Sequence, residues 1–443
     1  MEKLYHSLPR FMQNKLLSIK GHQVNRNRYN ELFDFALDEL IKVGDFSLLE
    51  KENYKDQKFN NLLSSVSDNN LYLKRFEFLY GSIDKFGTLS DLNDLKPITK
   101  HEVKMALQKY PIVKSKDTII CHTSGTTGSG LVFPVSKLSD AFQWAVWWRY
   151  RKSHGINLND VCGYFGGRAI VPARENRVFY RYNKASQQVM FSAYHLNSHT
   201  IRSYVEGILR NNVKWLHGYP SFLSYFASLC LEFSIDLSKQ IEVITIGAES
   251  LLPQQKSILQ SVFKAPVVQH YGLSESVANI SESTENKLIV DDDFSHVFFK
   301  ENESGGYKII GSNLHNSAMP LLNYDTGDIV NSISENSMFR YVDEIDGRKE
   351  DFVVLSDGTK VGRLDHIFKD IQDVIEVQIV QDYVGHIKVN LVPSALFSPR
   401  VERKIIDEFY SRFQNKLKVE IVCLDKVERT RSGKLRFVIS KVK

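Results

Sequence analysis

The segment TSGTTGSG, residues 123–130, alternates glycine with hydroxyl side chains. Glycines leave backbone N–H groups uncovered and the hydroxyls surround them, a combination able to wrap the oxygens of a polyphosphate. No Lys-Ser/Thr pair follows its last glycine, so it is not a Walker-type loop, and such a run taken alone is more often a flexible connection. Near the other end, RTRSGKLR at 429–436 sets Lys434 after Ser-Gly on a turn. From there an ammonium can reach a phosphate, although a solvated basic tail has the same composition. Between them, YGLSE at 271–275 offers Glu275 as a hard oxygen ligand for magnesium and Ser274 as a donor to a phosphate oxygen. YDTGD at 324–328 offers Asp328 as an acceptor for both hydroxyls of a ribose. Each of the last two is, singly, also a common turn sequence.

Such residues need elements to carry them. Ile241–Ile246 and Ala265–His270 read as buried strands that run into GAES (247–250) and YGLSE. Strand, turn and helix in alternation from about residue 160 imply an α/β domain with substantial parallel sheet, whose ligands gather beyond the carboxyl ends of the strands. Residues 1–100 read as mostly helical, with helical apolar spacing around Tyr29–Val43 and Leu71–Ile83. A helix over Ser139–Ser153, opened by an N-cap serine, places Trp144, Trp147 and Trp148 on one face, as core packing rather than a ligand cage. After Asn323 strands are predicted at Met338–Val342, Asp351–Leu355, Ile375–Val380 and Ile387–Val392. An amphipathic helix carrying Ile405, Ile406, Phe409, Phe413 and Leu417 and a strand at Val419–Leu424 follow. The division predicted is a large multi-sheet α/β domain over 1–346, helical through 1–100, and a small α+β domain over 347–443.

Composition fits a globular protein with a large core: 42% hydrophobic, 25% charged, in 443 residues. Lys and Arg exceed Asp and Glu by 57 to 52, and by 19 to 14 within 347–443, so the excess sits in the C-terminal fifth. Cys121, Cys162, Cys230 and Cys423 lack paired spacing, which argues against a disulfide framework or cysteine zinc site and fits a reducing cytosol. The opening MEKLYHSLPRFMQNKLL lacks the apolar core of a signal peptide, and no apolar run approaches a membrane span. Peripheral membrane contact through Leu8–Leu17 stays open. No recognisable module for nucleic acid accompanies the basic tail.

The ordered series TSGTTGSG, GAES, YGLSE, YDTGD, DGRKED and RTRSGK resembles the motifs of the adenylate-forming superfamily, over roughly residues 90–443. That superfamily includes acyl-CoA ligases, peptide-synthetase adenylation domains and luciferases. PITK (97–100), HGYPS (217–221) and the Ser-Glu ending of YGLSE look most like its phenylacetate–CoA-ligase-like branch. LSDGTKVGRLDHIFKD (355–370), with LPRFMQN near the start, is similar to the capsular-polysaccharide-biosynthesis proteins of that branch.

The resemblance implies that Ser124, Gly125, Thr126, Thr127 and Gly128 hold the β- and γ-phosphates of ATP. Gly247, Ala248 and Glu249 would border the adenine, with Tyr271 and Gly272 beside it; Ser274 would meet the α-phosphate and Glu275 the magnesium ion. Asp328 and Arg348 would bind the ribose, and Lys434 would be the catalytic lysine on a mobile lid hinged near Glu350. The acyl pocket would form near Tyr219, Ser221 and Gly247, with no facing Arg or Asp to declare the substrate. The chain departs from the pattern at Ser129-Gly130-Leu131, where Pro-Lys is frequent, at Glu350, and at Gly358–Asp365, where CoA ligases line a pantetheine tunnel. Residues 276–299 hold no Cys and one His, so no zinc is expected. The implied activity is ATP-dependent acyl-AMP formation from a small carboxylic acid, then transfer to CoA, a carrier protein or a saccharide precursor. The alternatives are a phenylacetate-type CoA ligase and a non-catalytic nucleotide-binding scaffold in polysaccharide assembly.

Overall fold

Helices crowd the amino end because their apolar residues recur at helical spacing and their ends carry caps. In the computed structural model α1 (Glu2–Ser7), α2 (Arg10–Arg28), α3 (Glu31–Gly44), α4 (Leu48–Ser67), α5 (Asn70–Tyr80) and α6 (Lys100–Lys109) precede the first strand. Asn30 caps α3 by accepting from the N–H groups of Leu32 and Phe33. Ser47 with Glu50, and Thr99 with Glu102, form capping boxes on α4 and α6. The structure describes residues 2–123, 131–249, 251–302, 305–346, 352–362, 364–368, 371, 373–393, 397–425, 427–428 and 436–442.

A hairpin of β1 (Thr118–His122) and β2 (Val132–Ser136) leads into α7 (Lys137–Ser153). The N-cap of α7 is Ser136 rather than Ser139, which lies buried in the first turn and donates its N–H to the Ser136 hydroxyl. Ser136 thus ends a strand and starts a helix. β3 (Cys162–Phe165), β4 (Tyr180–Asn183), β5 (Gln188–Phe191), α8 (Ile201–Arg210), β6 (Trp215–Gly218), α9 (Pro220–Glu232), β7 (Val243–Ile246), α10 (Pro253–Phe263) and β8 (Val267–Gly272) follow. β9 (Asn279–Glu282), β10 (Leu288–Val290), β11 (Ser295–Glu301), β12 (Tyr307–Asn313), β13 (Tyr324–Val330), β14 (Ile333–Glu335), β15 (Arg340–Val342) and β16 (Ile345–Asp346) come next.

The main sheet has the order β14-β15-β10-β9-β8-β7-β6-β3-β5-β4, with its parallel run from β8 to β5. One face buries Phe165, Leu216, Ile244 and Ile246 beneath α8, α9 and α10. The other buries Trp215, Val243 and Val268 against α7 and α3. A second sheet, β11-β12-β13-β16, is wholly antiparallel. Arg149 of α7 pairs with Asp291 at 2.8 Å and with Asp293, while Arg340 pairs with Asp292. The Arg149 pairs fix α7 to the sheets, the Arg340 pair ties β15 to the segment after β10, and removing one partner would strand the other charge.

β4 is an edge strand, and α2 lies along it. Asn14 accepts from the N–H of Tyr182 at 3.1 Å and Ser18 from the N–H of Lys184 at 3.0 Å, while Asn25 donates to the Ala185 carbonyl. The helix side chains therefore supply partners that a further strand would otherwise provide.

The C-terminal part has its own elements: β17 (Val353–Val354), β18 (Lys360–Val361), β19 (Val374–Tyr383), β20 (His386–Pro393), α11 (Pro399–Phe413), β21 (Lys418–Cys423) and β22 (Val438–Ser440). The order β21-β20-β19-β22 covers a core of Val377, Ile379, Val389, Ile405, Phe409 and Phe413.

Candidate active site

Thr123 and Leu131 close the neck of the glycine-rich segment. The Thr123 N–H donates to the Leu131 carbonyl and the Leu131 N–H to the Thr123 hydroxyl, both at 2.9 Å. Leu131 and Phe133 share a core with Leu273 and Val277, which flank Glu275, so the neck and the YGLSE turn rest on one support.

Three parallel strands end beside that support. Gly218 at the end of β6 lies so close to β3 that a Cβ would stand 2.2 Å from the Phe165 carbonyl oxygen. Pro220 then starts α9 with its preset φ, and the Ser221 N–H donates to Glu249 Oε2 at 3.2 Å. A carboxylate facing a helix N-terminus is favourably placed in the helix field. Ala248 and Ser276 hold φ of +69° and +57°, so the turns after β7 and β8 each carry a non-glycine residue in the left-handed region. Strain of this kind clusters at functional sites and persists only where the surroundings enforce it. Glu275 is only 6% exposed, and its carbonyl accepts from Asn313 of β12. Ser274 and Gly272 are exposed. The Tyr271 hydroxyl donates to Asp328 Oδ2 at 2.8 Å, which joins the end of β8 to YDTGD, a motif that lies within strand β13 rather than on a turn.

Beneath Gly247 is a recess on the α7 face of the sheet. A Cβ on Gly247 would stand 3.0 Å from His270 Cε1. Register places His217 opposite Thr245, whose hydroxyl lies 2.8 Å from His217 Nδ1 and accepts from Trp215 Nε1. The imidazoles of His217 and His270 lie almost parallel, and Trp147 tilts against His270 while bonding Asn279 Oδ1 at 3.1 Å. Both histidines are enclosed by protein yet keep partial solvent access, as residues lining a recess do. Burial, then the Arg151 guanidinium, pushes His270 down to about 3; burial also holds His217 well below the usual imidazole range. His270 Nδ1 has no hydrogen-bond partner among the described residues.

The C-terminal part closes against the same edge. A Cβ on Gly362 would lie 3.3 Å from Ser221 Oγ and 3.8 Å from Glu249 Oε1. Asn197 donates to the Thr359 hydroxyl at 3.1 Å, and Tyr194 meets Phe413 edge-on. Inside this part the buried Gln378 donates through one Nε2 to the carbonyls of Glu428 and Arg436. The chain on either side of 429–435 is thereby tied to one amide.

The sequence-derived residues Tyr219, Ser221, Gly247, Ala248, Glu249, Tyr271, Gly272, Ser274, Glu275 and Asp328 thus occupy the turns around the carboxyl ends of β6, β7 and β8 and the adjoining β13. Ser124, Gly125, Thr126, Thr127, Gly128, Arg348, Glu350 and Lys434 lie outside the described residues. Trp148 is buried in the core as expected, whereas Trp147 borders the recess. Sequence reasoning passed over His217, His270 and Gln378. The two histidines stand at the start of HGYPS and immediately before YGLSE, and the register through β7 is what puts them on one face.

Residues 353–441 match the CapK C-terminal domain family. Along its whole length the chain is similar to Protein CapK of Staphylococcus aureus, 28% identical over 457 residues and covering 99% of each. Among solved structures it is similar to 2-hydroxyisobutyryl-CoA ligase with 2-HIB-AMP and CoA in the thioesterification state, at a TM-score of 0.55 and 14% identity over 90% of this chain and 91% of that one. The open conformation of that ligase gives 0.52 at 14% identity, over 89% and 92%. The chain therefore shares the fold of that CoA ligase, and over its whole length it is similar to CapK.

Proposed function

We propose, for a CapK-like chain on this fold, ATP-dependent activation of a small carboxylic acid as its acyl-AMP, in the assembly of a capsular or surface polysaccharide. The observation that carries the reading is the Tyr271–Asp328 hydrogen bond. It joins the end of β8, where an α/β sheet binds ligands, to the YDTGD motif on β13 of the second sheet.

In this reaction a substrate carboxylate oxygen forms a bond to the α-phosphorus of ATP. The bond from that phosphorus to the bridging oxygen breaks, and pyrophosphate departs. Anion meets anion, so positioning and charge neutralisation dominate the barrier. Ser124–Gly128 would wrap the β- and γ-phosphates above the Thr123–Leu131 neck. Asp328, oriented by Tyr271, and Arg348 would hold the ribose, and Gly247, Ala248 and Glu249 would border the adenine. The buried Glu275 carboxylate suits magnesium, which commonly takes one or two protein carboxylates and completes its shell with phosphates and water. Bound there, the ion would offset the charge of the departing pyrophosphate. Lys434, on a C-terminal lid over 347–443 hinged near Glu350, would bridge phosphate and carboxylate. The recess of Gly247, His217 and His270, with Tyr219 and Ser221 at its rim, would take the acyl group.

The acceptor could be CoA, a carrier protein or a saccharide precursor. CoA is the second reading, with Gly362 of the C-terminal part packed close to Ser221 beside the acyl site. The working compartment would be the cytosol, in keeping with four cysteines that lack paired spacing.

The test is carboxylate-dependent ATP–pyrophosphate exchange across acyl, aryl, amino and uronic acids. Exchange with one class is expected, and added CoA should yield a thioester if the second reading holds. Folded protein that binds ATP but exchanges with no acid would leave a nucleotide-binding scaffold instead.

A further inference from the structure

Helix α2 is amphipathic in the reverse sense. Its inward side is polar: Gln13 donates to the carbonyls of Tyr5 and Leu8, and Asn14, Ser18 and Asn25 bond the β4 edge and the turn after it. Its outward side carries apolar side chains among basic and polar ones. Phe11 is 70% exposed and Ile19 57%, and Met12, Leu16 and Ile19 recur at i, i+4 and i+7, a helical face of unsatisfied hydrocarbon.

Cations accompany those side chains. Arg10, Lys15, Lys20 and Arg26 are exposed, and none is ion-paired among the described residues. No acidic residue occurs from Lys3 to Asn30. At the start of the same helix a cleft of about 300 Å³ is bordered by His6, Arg10 and Arg174, with the buried Arg181 paired to Glu175 at its base. Hydrocarbon projecting between unpaired cations matches an anionic bilayer surface, where apolar side chains enter the acyl boundary and basic ones meet phosphates. We infer that the outward face of α2 docks this protein on an anionic lipid surface, with the helix in the membrane plane and the basic cleft at headgroup level.

A second copy of this chain is a poorer occupant, since two such faces would oppose cation to cation. The inference stands apart from the proposed chemistry, and its test needs no substrate. The full chain is sedimented with vesicles of phosphatidylcholine alone, and with vesicles about a third phosphatidylglycerol, at low and high salt. Each cation near such a surface contributes roughly five-fold to partitioning, so strong preference for the anionic vesicles, weakened by salt, is expected. F11S/L16S/I19S and K15E/K20E should each lose binding while keeping the wild-type melting temperature, because all five side chains point away from the fold. Three outcomes overturn the inference. They are equal binding to both vesicles, unaltered binding by the folded variants, or a dimer dispersed by F11S/L16S/I19S with no vesicle binding.

Discussion

At the scale of single residues, the site combines side chains held by neighbours with side chains that the sequence alone nominates. Tyr271 belongs to the first kind. Its hydroxyl fixes Asp328, so Tyr271→Phe should raise the KM for ATP about three- to ten-fold, the loss of one charge-assisted hydrogen bond, with a smaller effect on kcat. An unchanged KM in pyrophosphate exchange would remove Asp328 from the nucleotide site. Lys434 is of the second kind. Lys434→Ala should lower exchange by about two to four orders of magnitude without moving the melting temperature, as expected for removing an electrostatic contact made in the transition state. The turns at Gly247 and Gly272 were legible as strand ends because β-branched runs lead into them. The histidines beside them were not, because His217 and His270 act through the direction of a strand, which a local motif does not carry.

At the scale of elements, legibility followed how plainly burial was written into the chain. Ile241–Ile246 and Ala265–His270 appear as β7 and β8 because β-branched runs end at glycine turns. The stripe from Ile405 to Phe413 appears as α11. β11 and β12 were not foreseen: SHVFFKE and YKIIGSN mix charge, hydroxyl and glycine, and they are strands because they pair with each other and with β13. α2 lies within the stretch that reads as mostly helical, but its orientation was not legible, since Gln13, Asn14 and Ser18 face the protein while Phe11, Leu16 and Ile19 face out. The element that would present Lys434 depends on Gln378, whose amide holds Glu428 and Arg436 together. Gln378→Ala should lower kcat more than the KM for ATP and cost about 1 kcal/mol in urea unfolding, since two part-buried carbonyls lose their donor. Equal kcat in a folded variant would show that the 429–435 segment needs no such anchor.

At the scale of the whole molecule, His195, His217, His270, His296 and His315 are all pushed below the usual imidazole range, chiefly by burial. In the unfolded chain they titrate near 6.5, whereas His195 falls to about 4 and His270, His296 and His315 to about 3 in the fold. Between those limits the unfolded state binds more protons, so stability falls as pH falls and is unaffected by these groups above about 6.5. Each histidine contributes about 1 kcal/mol per pH unit in that window. The urea midpoint should drop steeply from pH 6.5 to 4.5, and less steeply in His315→Gln; identical slopes would assign the acid sensitivity to other groups. The cover that α2 lays over β4 has a separate consequence for solubility. A ten-stranded sheet ending in uncovered N–H groups at Tyr182 and Lys184 is a template for another chain's strand. Removing residues 1–28 should therefore produce oligomers that grow with concentration in light scattering, so the segment that carries the apolar face outward also keeps one molecule from adding to the next.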